Sequence, residues 1–146
     1  MEPGSIDIDP GPNVLLSGLP PSKLLSILRW NLDQMSRYVG INNHMGSRFT
    51  SEEDSMRIIM EELKHRGLAF LDSITTPESS GAKTAKEFGV PFTQRDIFID
   101  HHGDLSSIHQ QLSIVESLAT QRGHAIAIGH PRKSSLKVLG KWLNTL

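Results

Sequence analysis

Apolar residues recur at helical spacing in several separate stretches of the sequence. Residues 22–36 carry leucines and a methionine at intervals of three and four, which predicts an amphipathic helix capped by Ser22. The capping-box pair Thr50 and Glu53 predicts the start of a second helix, and Gly67 predicts its end. Further helices are predicted at residues 76–88, at residues 105–122 and through Leu136, Leu139 and Leu143.

Short apolar runs lie between these helices and predict strands at residues 38–43, 68–71, 97–99 and 125–128. Residues 1–12 are rich in proline and glycine and are predicted to be irregular. Strands that alternate with helices in this way are typical of βαβ units around a parallel sheet. We therefore expect an α/β fold, with a sheet that lacks strands at both ends.

Polar side chains with catalytic or metal-binding chemistry follow every predicted strand. In parallel α/β folds, functional groups gather at the carboxyl ends of the strands. The residues at these ends are Asn42, Asn43 and His44, then Asp72 and Ser73, then Asp100, His101 and His102, and finally His130. Imidazole and carboxylate groups form the ligand set that holds zinc with one position open for water. A histidine-rich hydrolytic metal site is therefore one prediction.

The other three histidines are assigned no function. His65 and His109 lie within predicted helices, where a solvent-exposed surface position is expected. His124 lies at the entry of its predicted strand, on the side opposite to the candidate site.

The surroundings of His44 allow two interpretations. Asn43, Ser47 and Arg48 flank it and could bind an oxyanion or a sugar hydroxyl. Loop residues of these types are more often merely solvated, and His44 itself could simply cap the following loop. The role of the three neighbours therefore depends on that of His44.

Two further arrangements are conceivable at the strand ends. The adjacent His101 and His102 are not expected to point easily into one site together. Asp72, Ser73 and His130 could form a nucleophilic Ser-His-Asp system, but the chain has no Gly-x-Ser-x-Gly elbow. A serine nucleophile is therefore disfavoured.

Composition excludes several classes of function. The formal net charge is -1 and no dense basic run occurs, so nucleic acid is not an expected partner. The absence of cysteine excludes disulfides, thiolate metal sites and a thiol nucleophile. No apolar run is long enough for a membrane span, and the amino terminus shows no export signal. We expect residues 1–146 to form one domain.

Four sequence blocks resemble successive blocks of the divergent polysaccharide deacetylase family. They read GINNHMGS at residues 40–47, FLDS at 70–73, RDIFID at 95–100 and AIGHP at 127–131. The block around His44 is the most specific, and the other three are persuasive mainly by their order.

The resemblance implies a distorted (β/α) barrel with a divalent metal, zinc by preference, at the carboxyl ends of its strands. It implies hydrolysis of the N-acetyl group of a glycan, and location in the bacterial envelope, either periplasmic or secreted. His44 would be a metal ligand, and His130 would be the catalytic acid or a second ligand. Asp72 would act in catalysis or beside the substrate, and Asp100 would contact substrate or orient an imidazole.

The chain also departs from the family pattern. An aspartate pair at the end of the family's first strand is expected to lie before residue 1, so we expect a partial barrel that lacks its first strands and its last strand. His101 and His102 follow Asp100 where an acidic or amide residue is expected, and Arg132 and Lys133 replace another usual histidine. A non-catalytic envelope or glycan-binding protein is therefore the alternative function.

Overall fold

The computed structural model describes residues 1–5 and 7–146, which form two compact units, Met1–Gln94 and Arg95–Leu146. Ile6, within the segment predicted to be irregular, lies outside the described residues. The described residues among the first twelve contain no helix or strand, as predicted. Both units combine helices with parallel strands, which confirms the α/β class.

The first unit is built on a parallel sheet of three strands in the order β1-β2-β3. Ile41 pairs with Phe70, and Phe70 in turn pairs with Phe92. Helices connect the strands, as parallel pairing requires. The elements are α1 (Pro21–Leu32), β1 (Gly40–Asn42), α2 (Ser47–Ser51), α3 (Glu53–Arg66), β2 (Ala69–Asp72), α4 (Gly81–Phe88) and β3 (Phe92–Gln94).

The helices of the first unit bury the faces that their apolar periodicity predicts. Apolar side chains spaced four residues apart on α1 pack with side chains from consecutive turns of α3 and with Phe70 of β2. Together they form one apolar cluster. The buried helix residues are Leu24, Leu28 and Leu32 from α1, and Met56, Ile59, Met60 and Leu63 from α3. This cluster holds the sheet and fixes the carboxyl ends of β1 and β2.

Helix α1 differs from the prediction at both ends. It begins at Pro21, one residue before the expected cap Ser22, and ends at Leu32. Proline suits the first helical position because its fixed φ is already helical and its missing N–H would have no partner there. Met35, predicted on the apolar face, lies beyond the helix and is exposed.

The capping box predicted from Thr50 and Glu53 is wrong. Thr50 lies inside the short helix α2, and its buried hydroxyl donates to the carbonyl of Gly46 at 2.8 Å. Helix α3 begins only at Glu53, with Glu52 in an extended conformation before it. The hydroxyl of Thr50 is therefore used one turn earlier than the sequence pattern suggests.

Helix α4 begins at Gly81, five residues later than predicted. The preceding residues form a loop because their polar side chains bind other parts of the unit. The hydroxyl of Ser79 donates to Asp72 at 2.5 Å, and that of Ser80 donates to the carbonyl of Thr50 at 2.8 Å. These bonds compete with a first helical turn at Thr76.

The second unit contains a parallel pair of short strands and two helices. Asp104 caps α5 by accepting a hydrogen bond from the backbone of Ser107 at 2.9 Å. The buried apolar residues are Ile99, Ile108, Leu112, Val115 and Val138. The elements are β4 (Ile97–Phe98), α5 (Leu105–Arg122), β5 (Ala127–Ile128) and α6 (Lys133–Trp142).

Helix α6 turns only some of its predicted apolar positions inward, and Leu139 packs half-buried against the core of the unit. Leu136 and Leu143 are exposed, whereas Val138 and Ser135 are buried. The buried serine has a hydrogen-bonding partner in Asp100, at 2.8 Å, which accounts for a polar residue on the inner face. Among the described residues, no helix has the length and apolar character needed to cross a membrane.

A carboxylate on α3 links this helix with α1 in the first unit. Glu62 is 5% exposed, and its two oxygens accept hydrogen bonds from Arg29 at 2.9 Å and from Arg66 at 2.7 Å. Arg66 also pairs with Asp33 beyond the end of α1. The hydrogen bond from Arg29 is the main cause that holds the pKa of Glu62 below its ordinary value.

We expect Glu62→Gln to lower the free energy of unfolding by about 2 kcal/mol at neutral pH, because a neutral amide cannot accept both charged donors. The carboxylate's stabilisation is present above the ordinary pKa of 4.5 and is lost as the pH falls through the lowered value. Urea unfolding at neutral and acidic pH measures both effects. Exposed Glu61 is the matched control, and equal losses in Glu61→Gln and Glu62→Gln would contradict the network's role.

Candidate functional site

The carboxyl ends of β1 and β2 are tied together by an amide and a hydroxyl. Asn43 is 2% exposed, and its side-chain oxygen accepts a hydrogen bond from the backbone of Ser73 at 2.7 Å. The hydroxyl of Ser73 donates to the carbonyl of Asn43 at 2.6 Å, and Asn42 donates to the same hydroxyl at 3.2 Å. Asn43 and Ser73, which we call the clamp, thus fix the backbone that carries His44.

His44 is exposed immediately beyond this clamp. It lines a cavity of about 280 Å³ together with Asn42 and Asn43 and with residues of α1 and of the irregular amino-terminal segment. Met45, which follows it, has a left-handed backbone with φ of 54° and accepts the Asn43 amide at its carbonyl. The clamp therefore holds a strained turn next to the exposed imidazole.

A second strained residue follows β2. Ile74 has φ of 45°, a conformation that is sterically unfavourable for a β-branched side chain. Its N–H donates to the Asp72 carboxylate at 2.8 Å, which stabilises the turn. Left-handed non-glycine residues therefore follow two neighbouring strand ends, and such strain tends to cluster at functional sites.

Asp72 is fully buried and organises the loop after β2. One carboxylate oxygen accepts from Ile74 and the other accepts from Ser79. A Cβ at Gly81 would lie 2.5 Å from the second oxygen, so a larger residue cannot be placed there without displacing the carboxylate. No sequence feature indicated Ser79 or Gly81 as parts of this site.

We expect Gly81→Ala to lower the free energy of unfolding by roughly 1–3 kcal/mol, because the methyl group overlaps the buried carboxylate of Asp72. Gly140, inside α6, has open space around it and provides the control. Gly140→Ala should be neutral or raise stability by up to about 1 kcal/mol through helix propensity. Thermal unfolding of both variants measures the difference, and a Gly81→Ala protein as stable as the wild type would contradict the close packing.

The structure separates Arg48 from the cavity that His44 lines. Ser47 begins α2 and is half-buried, whereas Arg48 is exposed with its Nε 3.5 Å from Glu2. Arg48 lines a different cavity, of about 380 Å³, that contains Glu2 and not His44. The predicted contacts of Ser47 and Arg48 with a substrate stay predictions.

In the second unit, Asp100 and His130 form a hydrogen-bonded pair across the ends of β4 and β5. Asp100 is fully buried, and one of its oxygens lies 3.2 Å from Nδ1 of His130. Its other oxygen accepts from the His130 backbone at 2.7 Å and from the hydroxyl of Ser135 at 2.8 Å. The carboxylate thereby orients the half-buried imidazole, as in other carboxylate–histidine pairs.

Opposing effects act on the pKa of Asp100. Burial raises it, but hydrogen bonds from Ser135, from the His130 backbone and from the His130 ring outweigh that effect. The net pKa lies below its ordinary value, so Asp100 is an anion at neutral pH.

The ring of Phe98 supports the His130 imidazole from the side. Their centroids are 5.3 Å apart in an edge-to-face arrangement. Arg132 donates to the carbonyl of Asp100 at 3.0 Å, so it reinforces the strand end at a position where the family resemblance leads one to expect histidine. The apolar pattern predicted Phe98 only as a strand residue. No sequence feature identified Ser135 as a partner of Asp100.

One prediction about the histidines is corrected. His101 and His102 line one cavity of the second unit, with ring centroids 4.9 Å apart, although adjacent residues were not expected to share a site. The loop after Asp100 has no strand geometry, so its side chains need not point to opposite faces. His65, His109 and His124 are exposed.

A complete metal centre is not formed by the described side chains. Within residues 1–5 and 7–146, no three His, Asp or Glu residues are grouped closely enough to hold an ion. The hydroxyl of Ser73, the serine of the disfavoured Ser-His-Asp arrangement, donates a hydrogen bond to the carbonyl of Asn43 in the same unit. His44 lies in the first unit and His130 in the second, each beside a rigid strand end.

Comparison with known proteins identifies relatives over most of the chain. An uncharacterized protein of Haemophilus influenzae is 40% identical over 108 residues, which cover 74% of this chain and 39% of the relative. The uncharacterized protein YibQ of Escherichia coli is 33% identical over 134 residues, which cover 92% of this chain and 42% of YibQ. The chain thus spans about two-fifths of the length of these curated relatives.

A solved structure supports the same relationship. The crystal structure of the uncharacterized protein ATU2773 of Agrobacterium tumefaciens matches 97% of this chain and 58% of that protein, with a TM-score of 0.92 and 30% sequence identity. The family model described as divergent polysaccharide deacetylase matches residues 1–146. On this match and on the sequence identity with its relatives, the chain belongs to the divergent polysaccharide deacetylase family.

Proposed function

We propose that the protein acts in metal-dependent removal of the N-acetyl group from a glycan. One observation carries this proposal, the contact between the buried Asp100 carboxylate and Nδ1 of His130 at 3.2 Å. The pair stands at the carboxyl end of a parallel strand pair, where α/β enzymes place their catalytic groups. Family membership supports a carbohydrate as the proposed substrate class.

His130 has the chemistry that amide hydrolysis requires. When its Nδ1–H donates to Asp100, Nε2 becomes the nitrogen that accepts or donates a proton on the other side of the ring. In hydrolysis, water adds to the acetyl carbonyl, the C–N bond breaks, and the departing sugar nitrogen takes up a proton. We assign that proton transfer to His130, with Asp100 stabilising the charged imidazole.

His44 is the proposed metal ligand of the first unit. Its exposed imidazole stands on the clamp of Asn43 and Ser73, and imidazole is a common ligand of zinc. Since no three potential ligands are grouped among the residues described here, an ion on His44 would need other ligands, which water, substrate or the rest of a longer protein could provide. When bound, a divalent ion supplies Lewis-acid polarisation of the acetyl carbonyl and an activated water.

We expect His44→Gln to lower the affinity for zinc by at least about 10-fold, because the variant removes an imidazole ligand. His65, exposed on α3 in the same unit, provides the matched control. Equilibrium dialysis with zinc, followed by metal analysis, measures both variants. Equal zinc affinity in the wild type and in His44→Gln would remove His44 from the ligand set.

The proposal extends to fold and location. The parallel order of β1, β2 and β3 in the first unit, and of β4 with β5 in the second, supports the proposal of a partial (β/α) barrel. We also propose a periplasmic or secreted location, which is compatible with the polysaccharide deacetylase family. Because the chain spans about two-fifths of its curated relatives, the activity of a longer protein is part of this proposal.

Acetate release from an oligomer of N-acetylglucosamine tests the function. The protein is stripped with a chelator, reloaded with zinc, cobalt or nickel, and assayed beside its stripped form. We expect acetate and an equal amount of free amine only after reloading. Glycan binding without acetate from any reloaded sample would overturn the enzymatic proposal in favour of a non-catalytic glycan-binding protein.

A further inference from the structure

The second unit contains a cavity of about 350 Å³ that the proposed reaction does not use. It runs along β4 to the loop after Asp100 and is closed on one side by the first turns of α5. Its size is at the lower end of the range for small-ligand pockets, which suits one sugar-sized molecule. Its polar lining comes from Arg95, Asp96, His101, His102, Ser107, Gln110 and Gln111.

The charges of this lining favour an anion. Asp96 is its one acidic side chain among the described residues, and that carboxylate already accepts the backbone N–H of Ile126 at 2.8 Å and pairs with Arg122 at 3.3 Å. The guanidinium of Arg95 and the imidazoles of His101 and His102 are donors that can face a carboxylate. Because Arg122 pairs with Asp96, the formal charges of Arg95, Asp96 and Arg122 sum to one positive charge, with the imidazoles counted as neutral.

An aromatic ring connects the cavity with the proposed catalytic pair. Phe98 lines the cavity and lies 5.4 Å from the guanidinium of Arg95, in a cation–π arrangement. The same ring contacts His130 at 5.3 Å and His101 at 6.5 Å between centroids. A ligand in the cavity would therefore lie beside the residues that hold the His130 imidazole.

Neutral hydrogen-bonding groups complete the lining. Gln110 and Gln111 each carry both a donor and an acceptor, and Ser107 carries a hydroxyl. Vicinal sugar hydroxyls also donate and accept, so amide side chains match them well. A simple inorganic anion could accept from the amide and hydroxyl donors but would leave the amide oxygens unused.

We propose that this cavity binds a sugar unit that bears a carboxylate, with the anion facing Arg95, His101 and His102 and the hydroxyls facing Ser107, Gln110 and Gln111. The choice of a sugar rests on the proposed function, whereas the choice of an anion rests on the lining itself. The site gives the two histidines after Asp100 a role in substrate recognition.

Glucuronate is the probe, with glucose as the neutral sugar and acetate as the carboxylate without a sugar. Titration of the 146-residue protein, followed by amide NMR, measures the three affinities. We expect glucuronate to bind about tenfold more tightly than either, because only glucuronate uses both halves of the lining. Shifts should map to the start of α5 and to the loop after Asp100. Glucuronate binding no tighter than glucose or acetate would overturn the proposal.

Variants localise the binding. The double variant His101→Ala/His102→Ala should weaken glucuronate binding about tenfold, and Arg95→Gln should do so too. The matched control is His109→Ala/His124→Ala, which removes two exposed histidines of the same unit that do not line the cavity. Circular dichroism verifies folding. Unchanged glucuronate affinity in a folded His101→Ala/His102→Ala protein would contradict the site.

The outcomes for this cavity and for the proposed deacetylation are separate. Glucuronate binding requires no metal and no hydrolysis, so it survives if acetate release is never observed. Conversely, acetate release from neutral oligomers without glucuronate binding would leave the deacetylase proposal intact and remove the cavity from it.

Discussion

Replacement of His130 by glutamine is expected to lower kcat for acetate release by about 10²–10⁴-fold, the contribution typical of a positioned general acid. Glutamine retains a polar side chain of similar length, but its amide cannot donate or accept a proton in the neutral pH range. KM should change much less, since the lost interaction belongs to the reaction and not to substrate binding. Initial rates over a range of oligomer concentrations separate the two constants.

His109 provides the control for this experiment. It is exposed on α5 of the same unit, so His109→Gln matches the chemical change without touching the strand ends. Its kcat should equal that of the wild type. If His130→Gln retains full kcat, or if both variants lose activity equally, the imidazole of His130 is not the proton donor.

Replacement of Asp100 by asparagine has the second large expected effect. The buried carboxylate accepts from the backbone of His130 and from the hydroxyl of Ser135, and it faces Nδ1 of the ring. An amide can present its N–H group to these donors, so at least one buried contact becomes unfavourable. We expect a loss of about 2–3 kcal/mol in the free energy of unfolding and a roughly 10–100-fold lower kcat.

The sign of the pH dependence distinguishes this variant from an unspecific loss of packing. The lowered pKa of Asp100 means that its carboxylate stabilises the folded protein above the ordinary value of 3.8 and ceases to do so as the pH falls through the lowered value. Asp100→Asn should therefore be less stable at neutral pH and should lose less stability in acid. Urea unfolding across the acid range measures this, and parallel curves for both proteins would contradict it.

Ser135 and its neighbour Ser134 refine the experiment. Ser135 is buried and donates to Asp100 at 2.8 Å, whereas Ser134 has no such bond to that carboxylate. Ser135→Ala should reproduce part of the kcat loss of Asp100→Asn, with KM little changed, and Ser134→Ala should not. A positioning role for Ser135 predicts this kinetic difference, whereas simple packing predicts only a difference in stability.

The sequence was sufficient for elements whose apolar periodicity agrees with their tertiary environment. Helix α3 buries Met56, Ile59, Met60 and Leu63, as its spacing predicts, and Gly67 ends it in a left-handed conformation. The α/β order was likewise visible, because α3, α4 and α5 each lie between two strands that pair in parallel.

Elements that depend on partners distant in sequence could not be predicted in the same way. Strand β3 has one large apolar residue, Phe92, and becomes a strand through its pairing with β2. Thr50 carries a capping pattern, yet its hydroxyl bonds to Gly46. In both cases a contact made by the folded chain prevails over the local preference.

The site shows the same division. Strand-end logic indicated Asp100 and His130 as candidates, and parallel pairing of β4 with β5 brings them into hydrogen-bonding distance. Their contacts with Ser135 and Phe98 depend on how α6 and β4 pack, which periodicity does not encode. The supporting residues Ser135 and Phe98 could therefore be recognised only in the structure, whereas Asp100 and His130 were each candidates from the sequence.

Asp100 is proposed to hold the His130 imidazole with Nδ1–H toward the carboxylate and Nε2 toward the reaction. Nitrogen-15 NMR of the neutral His130 ring tests this arrangement. Free neutral imidazole side chains favour the proton on Nε2, so the tautomer reports the protein's influence. We expect the proton of His130 to reside on Nδ1 in the wild type. A proton on Nε2 in the wild-type protein would contradict it.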